Sequence, residues 1–203
     1  MLMTVDIGNT NMTIAFFEAD TIKATFRLTT KTIRTSDEYG SNLINFMHAF
    51  DIHANTIEDV IISSVVPKVM HAFTNSIRKY IHKEPILIGP GLKTGISIRT
   101  DDPRSVGADR IVDLAGCMAC YGGNALVIDF GTATTYDYIS ADGIFQYGIT
   151  APGIEISAKA LWTQAAKLPE IEIKKPDTIL AKNTITSMQA GLVYGYIGQC
   201  EYI

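Results

Sequence analysis

Cysteine is scarce, with Cys117, Cys120 and Cys200 the three in 203 residues. An odd number cannot close into a disulfide framework within one chain, so the thiols fit a reducing compartment and a fold held by its core. Long apolar runs are missing as well. No stretch approaches the roughly 20 residues that span a bilayer, and the first residues lack a basic segment followed by a signal-peptide core. The expectation is a cytoplasmic protein with no membrane partner. Histidine is limited to His48, His53, His71 and His82, scattered without metal-ligand spacing, and none is assigned chemistry. Positive charge is in deficit, Lys+Arg 17 against Asp+Glu 21 for a formal net charge of −4, which argues against nucleic acid as a partner. The basic cluster Lys68, Arg78, Lys79, His82 and Lys83 reads as a solvated helix face. Cys117-Met118-Ala119-Cys120 has redox-motif spacing but lies in an apolar helical run without a second pair, so buried thiols are expected there.

What the chain has is 47% hydrophobic residues, enough for one large domain or two small ones. It also has a repeated pattern. In Thr4-Val5-Asp6-Ile7-Gly8-Asn9-Thr10-Asn11-Met12-Thr13 an apolar strand ends in a carboxylate, a glycine and small hydrogen-bonding side chains. Gly8 permits a positive φ or a close backbone approach, and Asn9, Thr10, Asn11 and Thr13 offer donors on a turn, as a phosphate site requires. Asp6 repels phosphate, so its useful partner is Mg²⁺, held directly or through water. A plain hairpin turn explains the stretch equally well when it is taken alone. The pattern returns in Leu126-Val127-Ile128-Asp129-Phe130-Gly131-Thr132-Ala133-Thr134-Thr135, and Ala19-Asp20-Thr21-Ile22 is answered by Ala141-Asp142-Gly143-Ile144. Matching offsets indicate an internal duplication. Duplicated hairpins of this kind resemble those of the acetate and sugar kinase, Hsp70 and actin superfamily.

Between the repeats, Ile14 to Phe17 and Ile22 to Leu28 read as strands, so the first sheet is partly antiparallel. Thr35 with Glu38 forms a capping-box pattern, and Tyr39, Leu43, Phe46 and Phe50 follow at helical spacing. Val60 to Val66 reads as a strand, Pro67 suits a first helical position, and Met70, Phe73, Ile77 and Ile81 make the next apolar stripe. Ile86 to Ile88 is another short strand. Strands alternating with helices predict an α/β sheet with helices packed against it. Helices are expected from about Ile156 to Ala166 and from near Thr184, with Ile154, Leu161, Trp162, Leu192, Val193 and Tyr196 forming core or a dimer interface.

From Gly89 to Arg110 the chain turns polar, punctuated by Gly89-Pro90-Gly91 and Asp101-Asp102-Pro103. Loops this long are more often functional than structural. The stretch ends in Gly107-Ala108-Asp109-Arg110, followed by Ile111, Leu114, Ala115 and Met118 at helical spacing. Asp109 and Arg110 then stand in a first helical turn, where an anionic group can meet backbone N–H donors and the guanidinium. Asp109 as a simple helix cap is the competing reading.

Taken in order, Asp6 to Asn11, Gly107 to Arg110, Asp129 to Thr134 and Ala151-Pro152-Gly153, with Thr184 ahead of Met188 and Gly191, closely resemble type III pantothenate kinase over essentially the whole chain. The resemblance implies duplicated actin-like, ribonuclease H-like α/β domains, with mixed sheets flanked by helices, at about 1–117 and 118–203. It implies transfer of the γ-phosphoryl of ATP to pantothenate, the first step of coenzyme A synthesis. It puts the ATP phosphates on Asp6, Ile7, Gly8, Asn9, Thr10, Asn11, Met12, Thr13 and Thr132. Pantothenate falls on Gly107, Ala108, Asp109, Arg110 and Thr184. Asp109 matches the proton acceptor and Asp129 the ligand of a monovalent cation (K⁺ or NH₄⁺); family members are homodimers that also need Mg²⁺. A catalytically altered relative resembling the regulatory Bvg accessory factors is the alternative. Gly107 to Arg110, the acceptor-side signature, discriminates against other kinases or phosphatases of the superfamily.

The chain departs from the family pattern in two ways. Thr100 stands where a substrate-contacting tyrosine is expected, keeping a hydroxyl but losing the ring. The chain also stops at Ile203 inside a helical run, whereas family members continue through a glycine-rich stretch, so the second domain is expected to be incomplete at its C-terminal side.

Overall fold

The computed structural model describes residues 1–89 and 91–203; Pro90, part of the punctuation read at Gly89 to Gly91, lies outside the described residues. The chain forms two compact units, Met1–Cys120 and Tyr121–Ile203.

The first unit begins with strands β1 (Leu2–Ile7), β2 (Asn11–Glu18) and β3 (Thr21–Thr29). Helix α1 (Ser36–Ala49), strand β4 (Asp59–Ser64), helix α2 (Pro67–Ser76) and strand β5 (Ile86–Leu87) follow. A two-residue strand β6 (Ser97–Ile98) and helix α3 (Ala108–Tyr121) close the series. The main sheet has the order β3-β2-β1-β4-β5. β1 pairs antiparallel with β2 and parallel with β4. An antiparallel meander extended by parallel strands after intervening helices is the ribonuclease H-like arrangement. Alternation along β1 and β2 sends Met3, Val5, Ile7, Met12, Ile14 and Phe16 to one face, all at most 2% exposed. α1 and α2 cover that face through Tyr39, Leu43, Met47, Val69 and Phe73.

Helix α1 starts where its capping box predicts: Glu38 N donates to Thr35 Oγ1 (3.3 Å) and Thr35 N to Glu38 Oε2 (2.7 Å). Its buried stripe runs Tyr39, Leu43, Met47, and Phe46 stacks on Phe26 at 4.0 Å. Phe50, expected inside, is 44% exposed. It sits one residue past the helix, and Asp51 turns the chain away with φ 54°. α2 opens on Pro67 and buries Val69 and Phe73, with Met70 half-buried and packed against the same core. After Ser76 the helix widens into a π turn, Ile77–Ile81, closed by His82 N donating to Ile77 O (3.1 Å). That turn keeps both Ile77 and Ile81 buried. Arg78 and Lys79 lie on its solvated side, paired with Glu84 and Asp37.

In the second unit β7 (Ala125–Phe130), β8 (Ala133–Ile139) and β9 (Ile144–Pro152) form another antiparallel meander. Helices α4 (Ile154–Gln164) and α5 (Thr184–Tyr202) follow. Ala158, Ile171, Met188 and Leu192 make their shared core, with Ile154 and Trp162 packed against it. Tyr136 is buried on β8, its hydroxyl donating to Gln199 Oε1 (3.1 Å) beside Cys200 Sγ (3.3 Å). Burial first, and then the bond to the thiol, push its phenol up to about 12. The thiols depart from expectation, Cys117 being half-buried and Cys120 exposed. α3 turns Ile111 and Leu114 inward, and Cys120 falls on the opposite side of the helix. Among the described residues no helix is long and apolar enough to cross a membrane.

Both meanders carry a bulge at the same place. Register shifts between Phe16 and Phe17 in the first and between Tyr138 and Ile139 in the second. Asp6 pairs with Thr13 across the first hairpin, as Asp129 pairs with Thr135 across the second. Each shift begins three residues after that threonine. Pairing and bulge repeat together, which carries the duplication from sequence into structure.

Gly40 on α1 lies beneath the Tyr80 ring, where a Cβ would overlap the ring carbons. The ring is held by Tyr80 Oη donating to Asp37 Oδ1 (2.9 Å). Gly40→Ala gains up to about 1 kcal/mol of helix propensity, but overpacking costs about 1–3 kcal/mol. The variant is therefore expected to unfold at lower urea concentration than wild type; a higher midpoint would show that Tyr80 moves aside freely.

Candidate functional site

The β1–β2 hairpin is closed by Gly8 N donating to Asn11 O (3.0 Å). Of the two roles open to Gly8, the structure selects close approach: its φ is not positive, and a Cβ there would lie 3.2 Å from Asn11 O. Ile7 and Met12 are fully buried in the core, so they can offer a ligand only main-chain groups. Asn9 and Asn11 are exposed, and Thr10 and Thr13 are half-buried. The loop is tied down from outside. Thr10 O accepts from Thr30 N (3.0 Å) and from Thr29 Oγ1 (3.4 Å), and Ile7 O accepts from Val65 N (3.1 Å). Asp6 is exposed at the C-terminal end of β1.

Val65 links this hairpin to the stretch from Gly107 to Arg110. With Ser64, Ile88, Val106, Gly107 and Ala108 it lines a cavity of about 340 Å³ at the C-terminal ends of β4 and β5. Parallel strands of α/β sheets characteristically place ligands at that end. Helix α3 begins at Ala108, which sets Asp109 and Arg110 in its first turn, both half-buried. Asp109 Oδ1 accepts from Arg110 N (2.8 Å). The carboxylate folds back over Gly107, where a Cβ would overlap Asp109 Oδ1. Glycine is therefore required at 107 for this aspartate conformer. Sequence reasoning did not single out Ser64, Val65 or Ile88 as lining residues. The available signal was their place at strand ends, visible only once β4 and β5 are known to run parallel.

In the second unit Gly131 N donates to Ala133 O (3.0 Å), and a Cβ on Gly131 would lie 3.3 Å from Asp129 Oδ2. This hairpin is one residue shorter than the first, since Phe130 pairs with Thr134 where Ile7 pairs with Met12. Gly153 caps α4 and donates from its N–H to Thr132 O (3.0 Å). A side chain at 153 would overlap the carbonyl oxygens of Gly131 and Thr132. Asp129, Thr132 and the start of α4 are thus brought together. Thr184 stands exposed at the first position of α5, behind Asn183, whose side chain accepts from Thr186 N (2.9 Å). Among the described residues it makes no hydrogen bond to the Asp129 hairpin. Thr100 buries its hydroxyl without a hydrogen-bond partner.

Comparison with known proteins bears on all these stretches at once. A family model described as type III pantothenate kinase matches residues 2–203. A type III pantothenate kinase of Agathobacter rectalis is 59% identical over 203 residues, covering 100% of this chain and 78% of that protein. Those of Bifidobacterium longum subsp. infantis and Listeria monocytogenes are 51% and 44% identical, over 99% and 100% of this chain and 79% and 78% of their own lengths. Among solved structures, a conserved Campylobacter jejuni protein placed in the Baf family of transcriptional activators superposes with a TM-score of 0.59. It is 18% identical and covers 98% of this chain and 78% of its own. A Sinorhizobium meliloti protein described as a 2-dehydro-3-deoxygalactonokinase reaches 0.50 at 14% identity, over 82% of this chain and 57% of that one. These two likenesses concern the fold alone. The sequence matches go further, and with one family description running from residue 2 to residue 203, the chain belongs to the type III pantothenate kinase family.

Proposed function

We propose that this chain phosphorylates pantothenate with ATP, the first step of coenzyme A biosynthesis. The observation that carries the reading is the acceptor-side constellation, a half-buried Asp109 folded over Gly107 at the head of α3 beside a cavity of about 340 Å³. That volume lies within the range of small-molecule sites, about 300–1,000 Å³. In this reading pantothenate contacts Gly107 to Arg110 and Thr184, and the nucleotide phosphates take the main-chain and hydroxyl groups of Asp6 to Thr13 and Thr132.

Phosphoryl transfer through a loose transition state asks little covalent chemistry of the protein. Bond formation to the nucleophile lags, so a carboxylate need only orient the acceptor hydroxyl and take its proton late. Asp109 serves as that acceptor. Arg110, one residue on, offers a planar fork of donors to an anionic substrate group. The hairpin glycines let backbone approach phosphate oxygens without a side chain intervening.

Kinases of this family use ATP with a divalent metal. An exposed Asp6 beside hydroxyl side chains suits Mg²⁺, which would shield charge on the phosphates. Among the described residues no group of three or more His, Cys, Asp or Glu assembles a metal cage, so such an ion would take most of its ligands from water and phosphate. Asp129, with Thr132 and the carbonyls of its tight turn, offers the weak, oxygen-rich surroundings that suit K⁺ or NH₄⁺. The same reading places the enzyme in the cytoplasm, in keeping with three cysteines that are not joined by disulfides. It also pairs two copies through α5, whose 19 residues include one charged side chain, Glu201, and expose Ile185 and Ile197.

Incubating the purified chain with ATP, Mg²⁺, K⁺ and pantothenate should yield phosphopantothenate; a folded protein that makes none would favour the regulatory alternative. Asp109→Asn should leave folding and ATP binding intact while turnover drops by on the order of 10²- to 10⁴-fold, the usual contribution of a positioned general base. Unchanged turnover would leave Asp109 a purely structural part in the first turn of α3. Replacing K⁺ by Na⁺ should suppress activity, and Asp129→Ala should abolish the response to K⁺. Full activity in Na⁺ alone would remove the monovalent-cation role.

A further inference from the structure

Opposite the buried core, the first sheet carries a row of side chains that no role above fully uses. Thr13 pairs with Arg27, Asp6 with Thr13, and Asp6 with Ser63. Directly paired residues point to the same face of a sheet. Four adjacent strands therefore present Arg27, Thr13, Asp6 and Ser63 side by side, ordered as cation, hydroxyl, carboxylate, hydroxyl. Two observations show that the row is unfinished within the fold. Ser63 is 5% exposed and its hydroxyl has no hydrogen-bond partner, so a buried donor one strand from Asp6 stands unspent. At the other end Arg27 is exposed, and its guanidinium pairs with no other described residue.

We propose that this row is the platform for the metal-bound polyphosphate of the nucleotide, with Arg27 contacting phosphate oxygens and Ser63 orienting Asp6. It rests on the phosphotransferase reading and adds two residues to it. The chemistry of the row fits such a ligand along its length. A guanidinium matches phosphate oxygens with two parallel hydrogen bonds. Thr13 donates a hydroxyl to the same oxygens, and Asp6 repels phosphate but attracts the metal that accompanies it. Ser63, one strand away from Asp6, can donate its hydroxyl to that carboxylate and fix its orientation toward the metal. Ser63 is thus a positioning residue, while Arg27 touches the ligand. Arg27 and Ser63 lie on different strands 36 positions apart, so only sheet register brings them into one row.

Calorimetric titration of the whole chain with MgATP and with magnesium tripolyphosphate tests the proposal, with pantothenate as the control ligand. Arg27→Gln should weaken both phosphate ligands roughly tenfold, the scale of a lost hydrogen bond to a charged group, and leave pantothenate binding unchanged. Arg27→Lys, keeping charge but not the fork, should fall between. Ser63→Ala should melt no lower than wild type, because it removes an unpartnered buried hydroxyl, yet should need more Mg²⁺ to reach half-saturation with ATP. Unchanged MgATP affinity in Arg27→Gln overturns the platform. A Ser63→Ala protein that melts lower and keeps its Mg²⁺ dependence makes that hydroxyl structural and removes it from the site. If wild type binds pantothenate but neither MgATP nor tripolyphosphate, the nucleotide reading of the hairpin fails as well.

Discussion

The site in the first unit depends on the way the β1–β2 hairpin is nailed into the core. Ile7 and Met12 flank the loop on paired strands, and both are fully buried. Because side chains alternate along a strand, burying these two turns Asp6 and Thr13 to the opposite face and leaves the loop backbone at the end of the sheet. A register slip of one residue would bury the carboxylate and expose the core. The hydrophobic term therefore fixes the polar geometry. Val65 N on Ile7 O and Thr30 N on Thr10 O then hold the loop from both sides, so its groups are ordered before any ligand arrives.

Glycine acts here through absence of volume rather than through unusual dihedrals. Gly8, Gly107, Gly131 and Gly153 are not among the residues with positive φ, yet in each case a Cβ would crowd a neighbour. At 107 the neighbour is the Asp109 carboxylate, and at 153 it is the backbone of the second hairpin. Close contact of backbone with carboxylate or carbonyl is what both halves of the duplication share, and it is the property a phosphate-handling turn requires.

Much of this was legible in the residues. The Asp-x-Gly repeats, the capping box at Thr35 and Glu38, Pro67 at a helix start and the helix opening at Gly107 to Arg110 are local signals. Local backbone chemistry fixes such features within a few positions. The misreadings have one cause in common. Phe50 and Cys120 sit at helical spacing, but which side of a helix faces the core depends on where that helix ends and what packs on it. A turn at Asp51 and the direction of Leu114 settled those positions, and neither has a signature within a few residues.

By itself, the sequence determined the two hairpins, the element order and the identity of the side chains from Gly107 to Arg110, because strand, turn and cap preferences act over short spans. Tertiary structure alone decided which of those side chains stand together. The cavity beside Gly107 needs β4 and β5 to run parallel, and the row from Arg27 to Ser63 needs four strands in one register. Register between strands distant in sequence is set by the joint burial of both in a single core. No local stretch carries that information, since the energy that selects it belongs to the packed sheet as a whole.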